Sequence, residues 1–355
     1  MILVWNCGSS SIKYYIFDQN LNLKNKGSYT NLNIDNIVEF RNKAELAISE
    51  IKSEHSDIAN IAFRIVSAGK DAEDGSEIGE SLILKIESES QRILHNKAVL
   101  EVIKCSITNF PNVHHSAYFD TTFFKDLPQS SKRYALPTEI VKRFNVDRLG
   151  FHGISHRYAL DSIGKFNKVL SIHLGAGCSV AAVHNGKPID ISMGHSTNEG
   201  LVMRTRVGDI DSMLVLELAE ELGISNARDL LQMQSGLKGL TNSSGEMLEV
   251  LDMAGYEIED ASYIRKGYYT KIQRDRAKDA IELYINRIKK YIGEYAALMN
   301  GVDAIIFTGK IGFGSSFLRA MIMNKMDYLG KVSTFTVETN EEYAIAAMVK
   351  KNHLR

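Results

Sequence analysis

The chain has 355 residues, 44% of them hydrophobic, which is enough for two domains with cores of their own. The formal net charge of −1 excludes a strongly basic nucleic-acid binder and a protein drawn to membranes by its charge. Three widely spaced cysteines without a CxxC pair argue against a disulfide framework or a zinc site, and because neither a signal peptide nor a membrane-length apolar run is evident, we expect a cytoplasmic protein with reduced thiols.

The first predicted elements are two strands joined by a turn rich in glycine and serine. Residues 2–5 form an apolar run, and a second strand is predicted over residues 13–18. The stretch between them, NCGSSSI, offers backbone N–H groups and hydroxyls, and Lys13 adds a mobile positive charge. This combination suits phosphate, and the alternative is an ordinary solvated hairpin.

The same strand–turn–strand pattern recurs near mid-chain, after a helix whose apolar face comprises Ile37, Phe40, Ala44, Ala47, Ile48 and Ile51. Strands are predicted at residues 169–173 and 180–184, around the turn at 175–179. An Asn185-Gly186 hairpin then leads to a third strand near Ile189. One copy opening each half of the chain suggests an internally duplicated fold.

Two further helices and a buried strand follow. One helix covers residues 213–222 and is ended by Gly223; the other covers 277–299 and is ended by Asn300-Gly301, directly before the strand DAIIFTG. The residues predicted to face inward on the long helix are Ile281, Tyr284, Ile285, Ile288, Ile292, Tyr295 and Leu298. Alternating strands and helices predict an α/β architecture, with a domain boundary near residue 150 and a cleft between closely packed domains.

Two arginines occupy positions that call for an anion. Arg64 lies among apolar residues in FRIVSAG, so its guanidinium must find an anion or a cluster of carbonyls. Arg206 lies in MRTRVGDID, near Arg204, Asp209 and Asp211. A planar guanidinium suits two-point binding of carboxylate or phosphoryl oxygens, and the alternative is a solvated charged loop.

Histidines and carboxylates add to these candidates. His152 and His156 form an HxxxH pattern, which on a helix could bind a metal, but Gly153 makes a helix there less favourable. We therefore favour His152 as a hydrogen-bond donor to an oxyanion. The alternative is a histidine buried in a turn of the core. Asp120 follows an apolar strand, which is a position typical of metal ligands, bases and helix caps. Glu341 and Glu342 stand in the first turn of a C-terminal helix, where they complement the helix dipole.

Together these groups form the set that Mg²⁺-assisted phosphoryl transfer requires. Eight stretches also resemble, in chain order, the motifs of the acetate kinase family of short-chain acyl kinases: NCGSSSIKY, HHSAYFDTTF, GFHGISHRY, HLGAGCSVAAV, GKPIDISMG, EGLVMRTRVGDID, QSGLKGL and TNEE. The resemblance runs from residue 2 to about residue 348.

The resemblance implies a duplicated α/β fold of the actin, Hsp70 and sugar-kinase type (ribonuclease H-like). The implied N-terminal domain covers residues 1–150 and is completed by a C-terminal helix at about 339–355. The implied C-terminal domain covers residues 151–338 and holds the phosphate-donor site. It implies reversible transfer of a phosphoryl group from ATP to acetate, giving acetyl phosphate and ADP, with Mg²⁺ (or Mn²⁺) as cofactor. It also implies a cytoplasmic homodimer that binds a short-chain carboxylate and ATP or ADP, and neither nucleic acid nor membrane.

The resemblance further assigns roles to individual residues. The catalytic residues are Asn6, Arg64, Asp120, His152 and Arg206. The acyl group is bound by Arg64, Val66, Leu94, His95 and Phe151. The nucleotide and its phosphates contact Ser9, Ser11, Lys13, His173, Gly175, Gly177, Glu246, Gly309, Lys310 and Ile311. The metal is held by Asn6 and Glu341, and Asp120 helps to position it. His156 is a further histidine of the region that binds phosphate.

Departures from the family pattern lie mainly on the nucleotide side. In GKIGFGS, Lys310 stands in place of a glycine, and Phe313 and Gly314 stand in place of a Glu-Asn pair. Leu248 stands in place of an arginine. A lysine where glycine allows close packing should obstruct a nucleotide or bind a different anion.

Smaller departures touch the acyl side, where Ser67 replaces a histidine and Thr197 a pocket proline. Three hypotheses therefore stay open: acetate kinase with ATP, a related kinase using propionate, butyrate or pyrophosphate, and a degenerate family member that only binds ligand. Retention of the whole transfer set argues against the third.

Overall fold

The computed structural model describes residues 1–8, 10–34, 36–90, 93, 95–265 and 267–353, without the side chains of residues 95 and 353. The chain forms two compact units. The first comprises Met1–Lys125, His152–Tyr158 and Asn340–Arg355, and the second comprises Asp126–Phe151 and Ala159–Thr339. No helix within the described ranges is both long enough and apolar enough to cross a membrane.

The strands, in chain order, are β1 (Ile2–Gly8), β2 (Ser11–Phe17), β3 (Leu23–Thr30), β4 (Asn60–Ile65), β5 (Ser76–Glu77), β6 (His114–Phe119), β7 (Lys168–Leu174), β8 (Cys178–His184), β9 (Lys187–Ile191), β10 (Ala304–Thr308) and β11 (Ser333–Thr336).

The helices are α1 (Ile37–Glu54), α2 (Glu80–Glu89), α3 (His95–Asn109), α4 (Gln129–Lys132), α5 (Thr138–Phe144), α6 (Gly153–Asp161), α7 (Ser212–Leu222), α8 (Ile224–Asp229), α9 (Gly236–Thr241), α10 (Met247–Ala254), α11 (Lys271–Met299), α12 (Gly309–Gly314), α13 (Ser316–Met323) and α14 (Glu341–His353).

The two sheets repeat one topology. In the first unit the strand order is β3-β2-β1-β4-β6-β5, and in the second it is β11-β10-β7-β8-β9. Each sheet has an antiparallel meander of three strands, and the first strand of the meander pairs in parallel with a later strand. The α/β fold predicted from the sequence is confirmed, and the repeated topology matches the expected duplication.

Both faces of the first sheet are covered by helices. One face carries Leu3, Trp5 and Phe63 and packs against apolar residues of α1 and α3. The other face carries Val4 and Ala62 and packs against apolar residues of α14. Since β1 is buried on both sides, it reads as a continuous apolar run rather than an alternating one.

Several local predictions are confirmed by backbone geometry. Asn185 and Gly186 both adopt positive φ (51° and 76°), as a two-residue turn between antiparallel strands requires. The five residues predicted to lie on the core side of α1, after Ile37, are buried. Gly223 ends α7 with a φ of 81°, and Asn300 ends α11 in the left-handed conformation.

Other local predictions are wrong in detail. The long helix begins at Lys271, six residues before the predicted start at residue 277, because Thr270 and Gln273 form a capping box there. Leu298 is 55% exposed, since the buried stripe passes through Tyr295 and Met299. The first two strands extend closer to each other than the predicted ranges 2–5 and 13–18, because pairing continues to Gly8 and Ser11.

Residues 126–151 group with the second unit rather than with the first. Arg148 accounts for part of this, since its guanidinium donates to the Ile191 carbonyl of β9 (2.7 Å) and pairs with Glu199 (2.5 Å). The division into an N-terminal and a C-terminal actin-like domain stays a prediction.

Candidate active site

Three parallel strands bring the polar residues of the first unit to one edge of its sheet. The register places Asn6 of β1 beside Arg64 of β4, and Ile65 beside Phe119 of β6. Asp120 follows β6 directly, and its N–H donates to the Ile65 carbonyl at 3.1 Å. Residues far apart in the chain therefore meet at the carboxyl ends of the strands, where ligand sites of α/β sheets commonly form.

Arg64 is the centre of this group. Its Nε and Nη2 lie 3.1 and 2.7 Å from the two carboxylate oxygens of Asp120. Its Nη1 lies 2.5 Å from Glu341 Oε2 and donates to Asn6 Oδ1 at 3.2 Å. The sequence-based expectation that this guanidinium needs an anion is met by two carboxylates.

Glu342 is a member of the same group, although its position in the first turn of α14 suggested only a favourable interaction with the helix dipole. Asn6 Nδ2 donates to Glu342 Oε1 at 2.6 Å and to Glu341 Oε2 at 3.3 Å. We call Asn6, Arg64, Asp120, Glu341 and Glu342 the carboxylate–arginine cluster. The repeated acidic residue in TNEE is the one sequence signal that could have identified Glu342.

The cluster carries more negative than positive charge. Burial raises the pKa of the Glu341 carboxyl, and the neighbouring Asp120 and Glu342 charges raise it further against the opposing effect of Arg64. Although burial alone would lower the pKa of Arg64, the Asp120 and Glu341 carboxylates raise it above its ordinary value. A group with excess buried negative charge favours an additional cation.

Mg²⁺ suits this environment. Across the described residues, no three His, Cys, Asp or Glu side chains are grouped so as to hold a metal by themselves. Mg²⁺ is commonly bound through one or two carboxylates together with waters and substrate phosphates, rather than by a complete protein cage. Glu341 and Glu342 offer hard oxygen ligands of that kind, so the donor set fits the ion.

A strained turn places His152 beside Asp120. His152 has a φ of 59°, which is uncommon for a residue other than glycine. The following residue, Gly153, donates its N–H to the Asp120 carbonyl at 2.8 Å, and a Cβ there would lie 2.3 Å from that oxygen. Close approach of the two segments therefore requires glycine, and it fixes the backbone of His152 next to the cluster.

The HxxxH pattern does not lie on one helix. His152 precedes α6, whereas His156 lies within it and is fully buried, with its ring 5.9 Å from that of Phe124 in an edge-on contact. His156 is therefore part of the core, beside Phe124.

The remaining predicted residues of the first unit are placed as follows. Lys13 lies directly opposite Asn6 on β2, so the two side chains share one face of the sheet. Ser11 begins β2, and half-buried Val66 follows β4. Ser9, Leu94 and the side chain of His95 lie outside the described part of the structure.

In the second unit, two turns meet at the edge of the sheet. The turn Gly175–Gly177 joins β7 to β8 and is closed by a hydrogen bond from Gly175 N to Gly177 O (2.9 Å). Gly309, after β10, has a φ of 76°, and a Cβ there would lie 2.5 Å from the Leu174 carbonyl oxygen. His173 is buried at the end of β7. Several of the residues predicted to contact phosphate therefore lie at this edge of the sheet.

The residues after Gly309 differ in exposure. Lys310 is exposed and Ile311 is half-buried, both within α12.

Glu246 lies elsewhere in this unit and pairs with Arg204 at 2.6 Å. Phe151 is fully buried.

Arg206 differs from Arg64 in having no carboxylate partner among the residues that the structure describes. Its Nη1 donates to the Thr197 carbonyl at 2.6 Å. Burial lowers the pKa of its guanidinium to about 10, which leaves it cationic at neutral pH. A half-buried arginine that donates to a carbonyl, with no carboxylate beside it among the described residues, is well suited to receive an anion.

Comparisons with known proteins agree with this chemistry. Residues 38–353 match the model of the acetokinase family. The acetate kinase of Halothermothrix orenii is 32% identical over an alignment of 403 positions, gaps included, which covers 97% of this chain and 97% of that protein. Two crystal structures are similar: a propionate kinase from Francisella tularensis (TM-score 0.83, 29% identity, 97% of both chains) and the acetate kinase from Entamoeba histolytica (TM-score 0.85, 26% identity, 99% and 98% of the two chains).

Proposed function

This chain belongs to the acetokinase family, and we propose that it is a phosphotransferase that moves the γ-phosphoryl group of ATP to the carboxylate of acetate, reversibly and with Mg²⁺. The observation that carries the proposal is the carboxylate–arginine cluster, in which Arg64 is held by Asp120 and Glu341 at the carboxyl ends of parallel strands.

The proposed reaction needs little proton chemistry. Acetate is ionised at neutral pH, so no strong general base is required. One carboxylate oxygen attacks the γ-phosphorus, and the bond from that phosphorus to the β–γ bridging oxygen breaks with its electron pair remaining on ADP. The main task of the protein is to orient the two anions and to neutralise charge on the equatorial phosphoryl oxygens.

We assign that task to cationic and hydrogen-bonding groups. Arg64 and Arg206 hold the acyl carboxylate and the transferring phosphoryl group, and His152 donates to the phosphoryl oxygens. Asp120 fixes the direction of Arg64 through its two-point contact. Ser11 and Lys13, with Ser9, contact phosphate.

Mg²⁺ would be held by Glu341 and Asn6, and we add Glu342 because Asn6 donates to both glutamates. The ion, or Mn²⁺ in its place, supplies positive charge that offsets the repulsion between ATP and the carboxylates. Asn6 restrains the two glutamate side chains, and its own amide is fixed by Arg64.

Acetate is the proposed acceptor, with propionate and butyrate as alternatives. Val66, Leu94, His95 and Phe151 are the proposed residues around the acyl chain. A pocket discriminates one methylene by only about 1–3 kcal/mol, so related acids differ in rate rather than being excluded.

A pyrophosphate donor is a second candidate, because the segments around α12 and α13 are unusual for a nucleotide site. Lys310 is exposed in α12. The Glu259 carboxylate accepts hydrogen bonds from the N–H groups of Ser316 (3.0 Å) and Phe317 (2.8 Å). Those amides at the start of α13 are therefore already bonded to an anion of the protein itself.

We also propose that the protein acts in the cytoplasm as a homodimer. Light scattering coupled to size-exclusion chromatography tests the oligomeric state: twice the 39.7 kDa chain mass supports the dimer, and the chain mass alone contradicts it.

The function is tested by acyl phosphate formation. Purified protein is incubated with Mg²⁺, acetate and either ATP or pyrophosphate, and the product is trapped with hydroxylamine as the hydroxamate. Product with ATP supports the first candidate, and product with pyrophosphate alone supports the second. The absence of product with either donor, for acetate, propionate and butyrate, would favour a ligand-binding protein without catalysis.

A further inference from the structure

A short loop in the second unit provides the partner of Arg206. Thr197, whose carbonyl accepts from Arg206, lies between His195 and Glu199, and Tyr134 contacts both of these residues. The Tyr134 hydroxyl donates to Glu199 Oε2, and the Tyr134 hydroxyl oxygen accepts from His195 N at 2.8 Å. One hydroxyl therefore restrains the loop two residues before and two residues after Thr197.

Further contacts hold the ends of this loop. Arg148 Nη1 lies 2.5 Å from Glu199 Oε1, so the carboxylate is bound by both Tyr134 and Arg148. The His195 ring lies within hydrogen-bond distance of the Asp147 carbonyl (Nδ1 to O, 3.0 Å). The Arg148 guanidinium also lies over the Tyr134 ring, 5.8 Å from its centre.

The position of Tyr134 is closely determined. A Cβ at Gly194 would lie within van der Waals overlap of both the Tyr134 hydroxyl and the Glu199 carboxylate, so glycine is needed there. Tyr134 is half-buried, and burial together with the Glu199 charge raises the pKa of its phenol, which keeps it a hydrogen-bond donor at neutral pH.

We propose that Tyr134 is a positioning residue for Arg206, acting by fixing the Thr197 carbonyl that directs the guanidinium. Glu199 and Arg148 complete the restraint. The inference rests on the proposed function, because it assigns to Arg206 the binding of an anion in phosphoryl transfer. Among the described residues, Tyr134 contacts Glu199, His195 and Arg148, so it acts on Arg206 through the loop and not by contact with the reacting atoms.

Removal of the hydroxyl should therefore affect Arg206 more than it affects folding. Tyr134→Phe keeps the ring and its contact with Arg148 but loses both hydrogen bonds. We expect kcat/KM for acetate to fall about 10- to 100-fold, since a small misplacement of an orienting group is sufficient for such a loss. Tyr29→Phe, which loses a comparable hydroxyl bond to Glu50 (2.7 Å), is the matched control and should leave kcat/KM within twofold of the wild type.

A double-mutant cycle distinguishes positioning from general stability. If Tyr134 acts through Arg206, Tyr134→Phe should lower the residual activity of Arg206→Ala by less than twofold, because the group it positions is gone. An equal loss in both backgrounds, or no loss in the wild-type background, would overturn the proposal. Glu199→Gln, which keeps the loop's hydrogen-bonding shape but weakens the bond to Arg148, should give a smaller loss with the same dependence on Arg206.

A second readout is independent of turnover. The rate at which phenylglyoxal modifies Arg206, followed by mass spectrometry of the peptide, should change at least threefold in Tyr134→Phe and remain unchanged in Tyr29→Phe. Unchanged modification in Tyr134→Phe contradicts the positioning role. If the wild-type protein forms no acyl phosphate but this change is seen, the proposed function fails while the structural relationship stands.

Discussion

Arg64 and Asp120 form a two-point ion pair, with Nε to Oδ1 at 3.1 Å and Nη2 to Oδ2 at 2.7 Å. Asp120 is almost fully buried, and its backbone N–H is fixed to Ile65, the residue that follows Arg64. The backbone pairing and the side-chain pairing therefore reinforce one another. The remaining guanidinium nitrogen, Nη1, contacts Glu341 and Asn6, which lie on two other elements.

Replacement of Arg64 by lysine should abolish most activity. A lysine ammonium has no planar fork and cannot contact both Asp120 oxygens and Glu341 together. We expect kcat/KM for acetate to fall at least 100-fold. Arg64→Ala should in addition lower the free energy of unfolding by about 3–5 kcal/mol, because it leaves a buried carboxylate without its partner. Urea unfolding measures this loss. Arg41→Lys, which alters an exposed arginine paired with Glu101, is the control and should retain full activity. Wild-type rates for Arg64→Lys would contradict the role given to the two-point contact.

Gly309→Ala should destabilise the protein by about 2–4 kcal/mol, because a left-handed backbone is costly for alanine and the added methyl would meet a carbonyl oxygen. The φ of Gly309 is 76°, and the Leu174 oxygen lies 2.5 Å from the Cβ position. Gly314 is the matched control, since it lies in the same short helix with open space around its Cβ position. Gly314→Ala should be neutral or stabilising by up to about 1 kcal/mol. Equal thermal and urea unfolding of the two variants would argue against the predicted constraint.

Asp74→Asn should change how stability depends on pH. The Asp74 carboxylate accepts from Phe119 N at 2.8 Å, and burial, with the nearby Asp120 charge adding to it, raises its pKa from 3.8 to about 6. The folded state therefore binds a proton more tightly than the unfolded state, and this contribution to stability is lost as pH rises from about 4 to 6. Asparagine keeps an acceptor oxygen but does not titrate.

We accordingly expect Asp74→Asn to gain about 1–2 kcal/mol relative to the wild type between pH 4 and pH 7. Urea unfolding at several pH values measures the difference. A difference that is constant over this range, or that decreases with rising pH, would be inconsistent with the raised pKa.

Val66→Ala should shift acyl preference toward longer acids. Val66 follows β4 two residues after Arg64 and is half-buried, so a smaller side chain makes room for one more methylene. The ratio of kcat/KM for propionate to that for acetate should rise about 10-fold, in line with 1–3 kcal/mol per methylene. Val38→Ala, at a 56% exposed position of α1, provides the comparison and should leave the ratio unchanged. An unchanged ratio in Val66→Ala would place the acyl chain elsewhere.

Features set by neighbouring residues were predictable from the sequence. The Asn185-Gly186 hairpin follows from the conformations those residues adopt easily, and the buried face of α1 follows from helical spacing. The start of α11 was missed because the cap lies before the apolar repeat begins. The first two strands were predicted to stop too far from the turn, because strand pairing extends to Gly8 and Ser11, which local composition does not reveal.

The candidate site was predictable only in part. The need of Arg64 for an anion could be inferred from its apolar surroundings, but which carboxylates satisfy it depends on the parallel register of β1, β4 and β6. Glu342 was overlooked because a first-turn acid has a sufficient local explanation. Tyr134 gave no signal, since its two partners lie more than 60 residues away in the chain.

The path of the oxygen atom shows directly whether the acetate carboxylate attacks the γ-phosphorus of ATP. Acetate labelled with ¹⁸O is incubated with the protein, Mg²⁺ and ATP, and acetyl phosphate is examined by ³¹P NMR, in which an ¹⁸O bonded to phosphorus shifts the resonance. Attack by the carboxylate on the γ-phosphorus predicts acetyl phosphate with ¹⁸O in the bridging position. Acetyl phosphate whose phosphorus carries no ¹⁸O, or no acetyl phosphate with either ATP or pyrophosphate, would contradict phosphoryl transfer to the carboxylate.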